Sequence, residues 1–275
     1  MSITLIFAAL LGVFIGLLSG LLGVGGGTIM VPMYRLAFGM SALASTATSL
    51  FTIIPTSISG IITHVRNKSC VPKLGIAMGL GGACTSPLGV WLASQSPSWA
   101  IMVAAAIVIA YSSFTMLRKA MKAPKGNQEP TASIESDGRQ APDIPTALVL
   151  SKRQLVEGFA IGLVAGVASG YVGLGGGFLM VPLMVSWIGL PMKLSSGTSL
   201  IGIVLLAIPG VIEQGLLGNI DYLVGIATAV GTVPGAFIGA RLITRVPERT
   251  LRILFSIFLG IGAILLVARE LALFV

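Results

Sequence analysis

The chain has 275 residues, 55% of them hydrophobic and only 9% charged, with a mean hydropathy of +0.99. A water-soluble domain of this length needs far more charge to cover its surface, so composition excludes that class. The formal charge of +8 does not point to nucleic acid, because no aromatic-rich basic patch is present to stack bases and basic residues of membrane proteins gather in cytoplasmic loops.

In chain order, hydrophobic segments fall near 3–22, 28–41, 44–65, 73–94 and 99–118, then near 153–173, 178–190, 194–216, 221–243 and 249–271. Most run for about 20 residues, enough to cross a hydrocarbon core of about 30 Å as a helix. They are continuously apolar rather than alternating with period two, which selects helices over a closed barrel. The first segment lacks the basic start of a signal peptide and has a counterpart in mid-chain, so it reads as retained structure. The expected fold is all-α: a polytopic membrane protein of about 10 transmembrane segments.

The segments are duplicated. Residues 16–50 align without a gap on residues 166–200, an offset of 150. The sharpest stretch runs from Ser19 through Gly23, Gly25, Gly26 and Gly27 to Pro32, and its copy from Ser169 through Gly173, Gly175, Gly176 and Gly177 to Pro182. Downstream, Ser45, Thr48, Ser49 and Leu50 fall on Ser195, Thr198, Ser199 and Leu200. The expected organisation is a membrane repeat over 1–118, a linker over 119–152 and a second membrane repeat over 153–275. The linker mixes Lys122, Lys125, Glu129, Glu135 and Asp137 with Pro124, Pro130, Pro142 and Pro145. Such a stretch has too little apolar surface to order itself.

Charge placement gives orientation. The loop after the third segment carries Arg66, Lys68 and Lys73, whereas its later equivalent has no base and contains Asp221. The loop after the fourth segment reverses this, since residues 95–99 are uncharged while Arg241, Arg245 and Arg249 surround the later copy. All 17 Lys and Arg except Arg35 and Arg269 then lie on one side. The reading is two inverted five-helix repeats, with a cytoplasmic linker and both termini outside.

The second segment of each repeat is too short to cross, reaching about 20 Å at 1.5 Å per residue. Each follows the Gly-x-Gly-Gly-Gly run, so these segments read as half-helices or re-entrant hairpins. Glycine permits positive φ and close backbone approach, which suits an unwound loop presenting amide N–H groups to a ligand. A following half-helix aims its N-terminal dipole at the same place. Two such ends converging near the bilayer midplane favour an anion without a buried lysine, which is costly there. The candidate substrate-binding residues are therefore Gly25, Gly26 and Gly27 with Gly175, Gly176 and Gly177. The competing reading is that the glycines only let helices pack closely.

Ser45, Thr48 and Ser49 share one helical face, as do Ser195, Thr198 and Ser199. Hydroxyls donate to oxyanions without a charge of their own, so Thr48, Ser49, Thr198 and Ser199 join the candidate site. Bonding between helices or to the preceding turn explains the same pattern equally well. Arg35 reads as an interfacial arginine whose head reaches for water, and His64, beside Arg66, as a solvated loop-edge histidine. Cys70 and Cys84 lack metal-ligand spacing, and no Ser/His/Asp arrangement, paired carboxylates or Cys/His cluster supports hydrolysis or redox chemistry. The chain reads as a non-enzyme with no metal and no cofactor.

The doubled Ser-Gly-x-x-Gly-x-Gly-Gly-Gly-x-x-x-Val-Pro, at Ser19–Pro32 and Ser169–Pro182, together with the Thr-Ser-Leu triplets at 48–50 and 198–200, resembles the sulfite exporter TauE/SafE family, also called the four-toluene-sulfonate uptake permease family. A later Gly-x-x-x-Gly at Gly235 and Gly239 fits the same pattern, although its first copy reads Thr85 and Gly89. The resemblance covers nearly the whole chain outside the linker. It implies a bacterial inner-membrane permease for sulfite, a sulfonate or a related organic anion. An alternating-access secondary transporter is the leading expectation, with an anion channel, a carboxylate permease and a non-transporting scaffold as rivals. The implied partners are a small anion, the lipid bilayer, and a coupling ion, proton or sodium; no nucleic acid is expected, and a homo-oligomer is compatible with the pattern.

Overall fold

A computed structural model describes residues 2–122 and 151–274. The described chain is helical, with no strand among the described residues. In chain order the helices are α1 (Ser2–Leu22), α2 (Gly27–Ala37), α3 (Ala42–Arg66), α4 (Pro72–Gln95), α5 (Ser98–Lys122), α6 (Lys152–Val172), α7 (Gly177–Leu183, continued by a π-helical turn over Met184–Ile188), α8 (Met192–Leu216), α9 (Tyr222–Leu242, continued by a 3-10 turn over Ile243–Arg245) and α10 (Glu248–Phe274). Eight of them are long and apolar enough to cross a membrane; α2 and α7 are not. At 1.5 Å per residue the 11 residues of α2 reach about 16 Å, roughly half the hydrocarbon thickness. The expected linker lies outside the described residues except at its edges, where α5 continues to Lys122 and Ser151 caps α6.

Local signals fix several ends. The Ser41 side chain accepts from the Ala44 N–H at 3.1 Å and starts α3, and Asp221 does the same for α9 through the Val224 N–H at 3.0 Å. Pro72 opens α4, where its missing N–H costs nothing. At α6, Ser151 and Gln154 form a reciprocal capping box.

Helix directions follow from which residues meet. Gly12 lies against Thr228 and Gly20 against Ala236, so α1 and α9 run the same way. Thr56 meets Thr232, and Asn67 reaches the Ala240 carbonyl, so α3 runs with α9. Gly75 lies against Thr198 and Gly82 against Leu206, while Gly162 meets Met78 and Gly170 meets Ser86; α4, α6 and α8 are parallel. Gly60 touches Leu200 and Gly210 touches Leu50, so α3 and α8 are antiparallel.

Glycine draws two of these pairs into backbone contact. A Cβ at Gly16 would stand 2.2 Å from the Thr232 carbonyl oxygen, and one at Gly235 2.2 Å from that of Val13. The α4–α6 pair is equally close, since a Cβ at Gly162 would stand 2.0 Å from the Met78 carbonyl oxygen. Close approach of this kind replaces the hydrophobic drive that lipid removes between membrane helices. Outward faces carry Phe14, Trp91, Trp99, Tyr111, Trp187 and Ile264, each more than half exposed, as a lipid-facing surface requires.

Candidate functional site

The glycine runs are breaks between helices. Gly25 and Gly26 have φ of 85° and 82°, and Gly175 and Gly176 have 83° and 73°. No side chain with a Cβ adopts these angles without strain. The preceding helices end where the Gly23 and Gly173 N–H groups bond the Ser19 and Ser169 carbonyls, and α2 and α7 begin at Gly27 and Gly177.

The two breaks meet. A Cβ at Gly27 would lie 2.7 Å from Leu174 Cα, and one at Gly177 would lie 2.5 Å from the Gly23 carbonyl oxygen and 2.9 Å from Val24 Cα. Every residue from Val24 to Thr28 and from Leu174 to Phe178 is buried. Among the described residues, none of the backbone N–H groups in these two stretches has a hydrogen-bond acceptor. Buried backbone donors are nearly always paired, so two adjoining runs of open donors form a concentration of positive dipole at the centre of the bundle, reinforced by the start of α2.

Ile53 and Ile203, related by the same offset of 150, occupy the space between the loops. A Cβ at Gly25 would stand 3.1 Å from Ile53 Cγ2 and 3.3 Å from Ile203 Cδ1, and one at Gly175 would stand 3.0 Å and 3.5 Å from the same two side chains. Both isoleucines are fully buried. The centre is thus closed by aliphatic tips set against polar backbone.

The hydroxyl candidates take different places. Thr48 Oγ1 accepts from the Asp221 N–H at 3.0 Å, and Thr198 Oγ1 accepts from the Val71 N–H at 2.9 Å. The offset of 150 relates these bonds too, and each ties a threonine to the start of a helix in the other half of the chain. Ser199 Oγ donates toward the Gly23 carbonyl at 2.7 Å and the Ser196 carbonyl at 2.8 Å. Ser49 Oγ, its counterpart, is buried without a partner, as is Ser45 Oγ. So Ser199 touches the first break directly, while the two threonines hold helix starts.

Two single residues differ from expectation. His64 is fully buried, with Nε2 2.8 Å from the Gly20 carbonyl and Nδ1 2.8 Å from Ser69 Oγ. It satisfies a carbonyl left open at the end of α1; its position beside Arg66 in sequence concealed that α1 ends against this turn. Arg35 is buried in the last turn of α2, where a cation complements the helix C-terminus. Sequence reasoning passed over Ile53 and Ile203, because an isoleucine in an apolar helix gives no signal until the opposing loops are known. It also passed over Tyr34, Thr52, Thr56 and Thr232, although comparing each with the residue 150 positions away reveals polar against apolar.

The helices and their paired central breaks define a multi-pass membrane protein of the transporter class. The Sulfite exporter TauE/SafE family model matches residues 8–266, and the chain belongs to this family of membrane transporters. It is similar to the probable membrane transporter protein YunE of Bacillus subtilis, 25% identical over 263 residues that cover 92% of this chain and 94% of the relative. A second Bacillus subtilis protein, the probable membrane transporter protein YdhB, is 26% identical and covers 92% of this chain and 96% of its own length. Sulfite exporter TauE/SafE family protein 3 of Arabidopsis thaliana is 36% identical over 103 residues, 36% of this chain and 21% of that protein. No solved structure gives a significant match.

Proposed function

We propose that the chain is a secondary transporter for a small anion, sulfite, a sulfonate or a related organic anion, working by alternating access between two inverted five-helix repeats over 1–118 and 153–275. One observation carries the reading: two adjoining runs of buried, unpartnered N–H groups, at Val24–Thr28 and Leu174–Phe178. Such donors recognise oxyanions without a fixed counter-charge, so binding stays weak enough to release. Gly25, Gly26, Gly27, Gly175, Gly176 and Gly177 present them; Ser49 and Ser199 add hydroxyls, and Thr48 and Thr198 hold the adjoining helix starts. Inversion is supported by the antiparallel course of α3 and α8, which carry the same Thr-Ser-Leu triplet, and by the paired threonine bonds at Asp221 and Val71. The charge pattern supports a bacterial inner-membrane orientation with a cytoplasmic linker and external termini. A proton or sodium ion is the coupling ion this scheme takes.

Ile53 and Ile203, buried with their side chains set against both loops, favour a carrier over an open pore. In proteoliposomes, sulfite or sulfonate flux should saturate with concentration and be accelerated by internal substrate. Ohmic current at channel-like rates would replace the carrier with a pore. Absence of any anion flux, with cation or neutral solutes moving instead, would remove the site assignment.

A further inference from the structure

Two interfaces that correspond under the offset of 150 have opposite chemistry. Where α3 meets α9, with Tyr34 of α2 beside them, hydroxyls form a seam. Tyr34 OH sits 3.1 Å from Thr52 Oγ1, which donates to the Thr48 carbonyl at 2.9 Å with the Gly225 carbonyl 3.3 Å away. Thr56 Oγ1 lies 2.6 Å from Thr232 Oγ1, and Ser59 Oγ donates to the Val233 carbonyl at 2.6 Å. With Thr48 above and Thr63 below, hydroxyls recur along one face of α3 for about 22 Å, most of the hydrocarbon thickness.

At the corresponding places, Tyr34, Thr52, Thr56, Ser59 and Thr232 become Met184, Gly202, Leu206, Pro209 and Gly82, while the two ends of the seam, Thr48 and Thr63, keep polar counterparts in Thr198 and Glu213. There α8 meets α4 through Leu206 packed on Gly82, and α7 through Met180 packed on Gly202. Among the described residues no side-chain hydrogen bond joins α4 to α8 along this stretch. The α3–α9 interface is thus the more hydroxylated of the two, able to exchange several partners for water, whereas α4 sets one hydroxyl, that of Ser86, against α8 beside Gly210.

We propose that solute reaches the glycine loops through the α3–α9 interface, along Thr52, Thr56, Ser59 and Thr232, while the α8–α4 interface stays closed. The proposal rests on the transporter reading above. Three features support the route. Thr52 adjoins Ile53, the side chain that closes the loops. A hollow of 470 Å³ already lies at one end of the seam, lined by Met40, Ala44, Asn219 and Asp221 among others. And glycine brings α9 into backbone contact with α1, whereas Gly225 of α9 meets α3 only through the Phe51 and Thr48 side chains, so α3 is the looser neighbour of α9. Parting a hydroxyl seam lets water take over each bond, whereas parting the methionine and leucine face exposes apolar surface with no such replacement.

The test is thiol accessibility in a background with Cys70→Ser and Cys84→Ser. Thr56→Cys and Ser59→Cys probe the seam; Leu206→Cys and Pro209→Cys, at the corresponding places, probe its counterpart. A charged, membrane-impermeant methanethiosulfonate reagent is applied to intact cells and to inside-out vesicles. The seam cysteines should react about tenfold faster than the counterpart pair, as groups exposed by a local opening do, and their modification should block flux. Equal reactivity of the two pairs, or a faster counterpart pair, overturns the proposal. Thr56→Val and Thr56→Ser guard against a folding artefact: the serine should keep flux and the valine should lower it about tenfold, as loss of a hydration partner inside a membrane predicts, and equal flux in the two also overturns it. If the protein carries no anion while the seam still reacts faster, the transporter reading fails and the seam stands. If anion flux persists without that contrast, the seam fails alone.

Discussion

Glycine does two different jobs in this molecule, and Gly26 and Gly235 show the difference. Gly235 sits inside α9, where the backbone of α1 leaves no room for a side chain: a Cβ would stand 2.2 Å from the Val13 carbonyl oxygen. Gly26 sits between α1 and α2 at φ 82°, where the nearest atom to a Cβ is the flexible end of Met30 at 2.9 Å. At Gly235 the space is forbidden and the backbone ordinary; at Gly26 the backbone is unusual and the space negotiable. The first makes two helices one body, and the second keeps backbone donors out of a helix. Substitution separates the two roles.

The largest effect should come from the packing glycines. Gly235→Leu drives a branched side chain into a neighbouring backbone that cannot rotate away, a cost above the about 1–3 kcal/mol of ordinary overpacking. No folded protein should be recovered by size-exclusion chromatography in detergent. A well-folded Gly235→Leu protein would mean that α1 and α9 are not locked together.

Next are the closing isoleucines, which sharpen the same contrast from the loop side. Ile53→Ala or Ile203→Ala should destabilise by about 2–5 kcal/mol, the range for truncating a buried aliphatic side chain, read as a fall in thermal-denaturation midpoint. Because the lost atoms fill the space between the loops, flux should also become leaky and lose its saturation. Lowered stability with unchanged transport would show that these side chains only pack.

The loop glycines come third. Gly26→Ala and Gly176→Ala force an L side chain into the left-handed region, costing about 1–2 kcal/mol each. The protein should remain folded while anion flux falls sharply, since the N–H groups shift with the strain. Equal loss of stability and of flux in Gly26→Ala and Gly235→Ala would erase the distinction between the two glycine roles.

Much of the architecture was legible because lipid leaves few choices. The helices over Ala42–Arg66 and Pro72–Gln95 lie within two residues of the segments expected at 44–65 and 73–94, as apolar length and flanking charge dictate. The shortness of α2 and α7 was legible too, because each stretch between the glycine run and the next turn is too short to span. Burial of His64 was not, since it depends on where α1 stops relative to α3, a tertiary relation that no local pattern carries. Nor was the work of Thr48 and Thr198. A Thr-Ser-Leu triplet on one helical face fits ligand binding and helix capping alike, and only the position of Asp221 and Val71 shows which bonds the hydroxyls make here.

The smallest effect separates Ser49 from Ser199, which occupy corresponding places but are unlike in bonding. Ser199 donates to the Gly23 carbonyl, so Ser199→Ala should cost about 1 kcal/mol, the usual worth of one hydrogen bond. Ser49 has no partner for its hydroxyl. Ser49→Ala removes a buried, unsatisfied polar group and should leave the denaturation midpoint unchanged or slightly raised. If that hydroxyl serves the anion, the same variant should weaken substrate binding by about tenfold at constant stability, as loss of a hydrogen bond to a charged ligand predicts. A change in stability without a change in apparent affinity would assign Ser49 to packing and leave the glycine N–H groups and Ser199 as the donors for the solute.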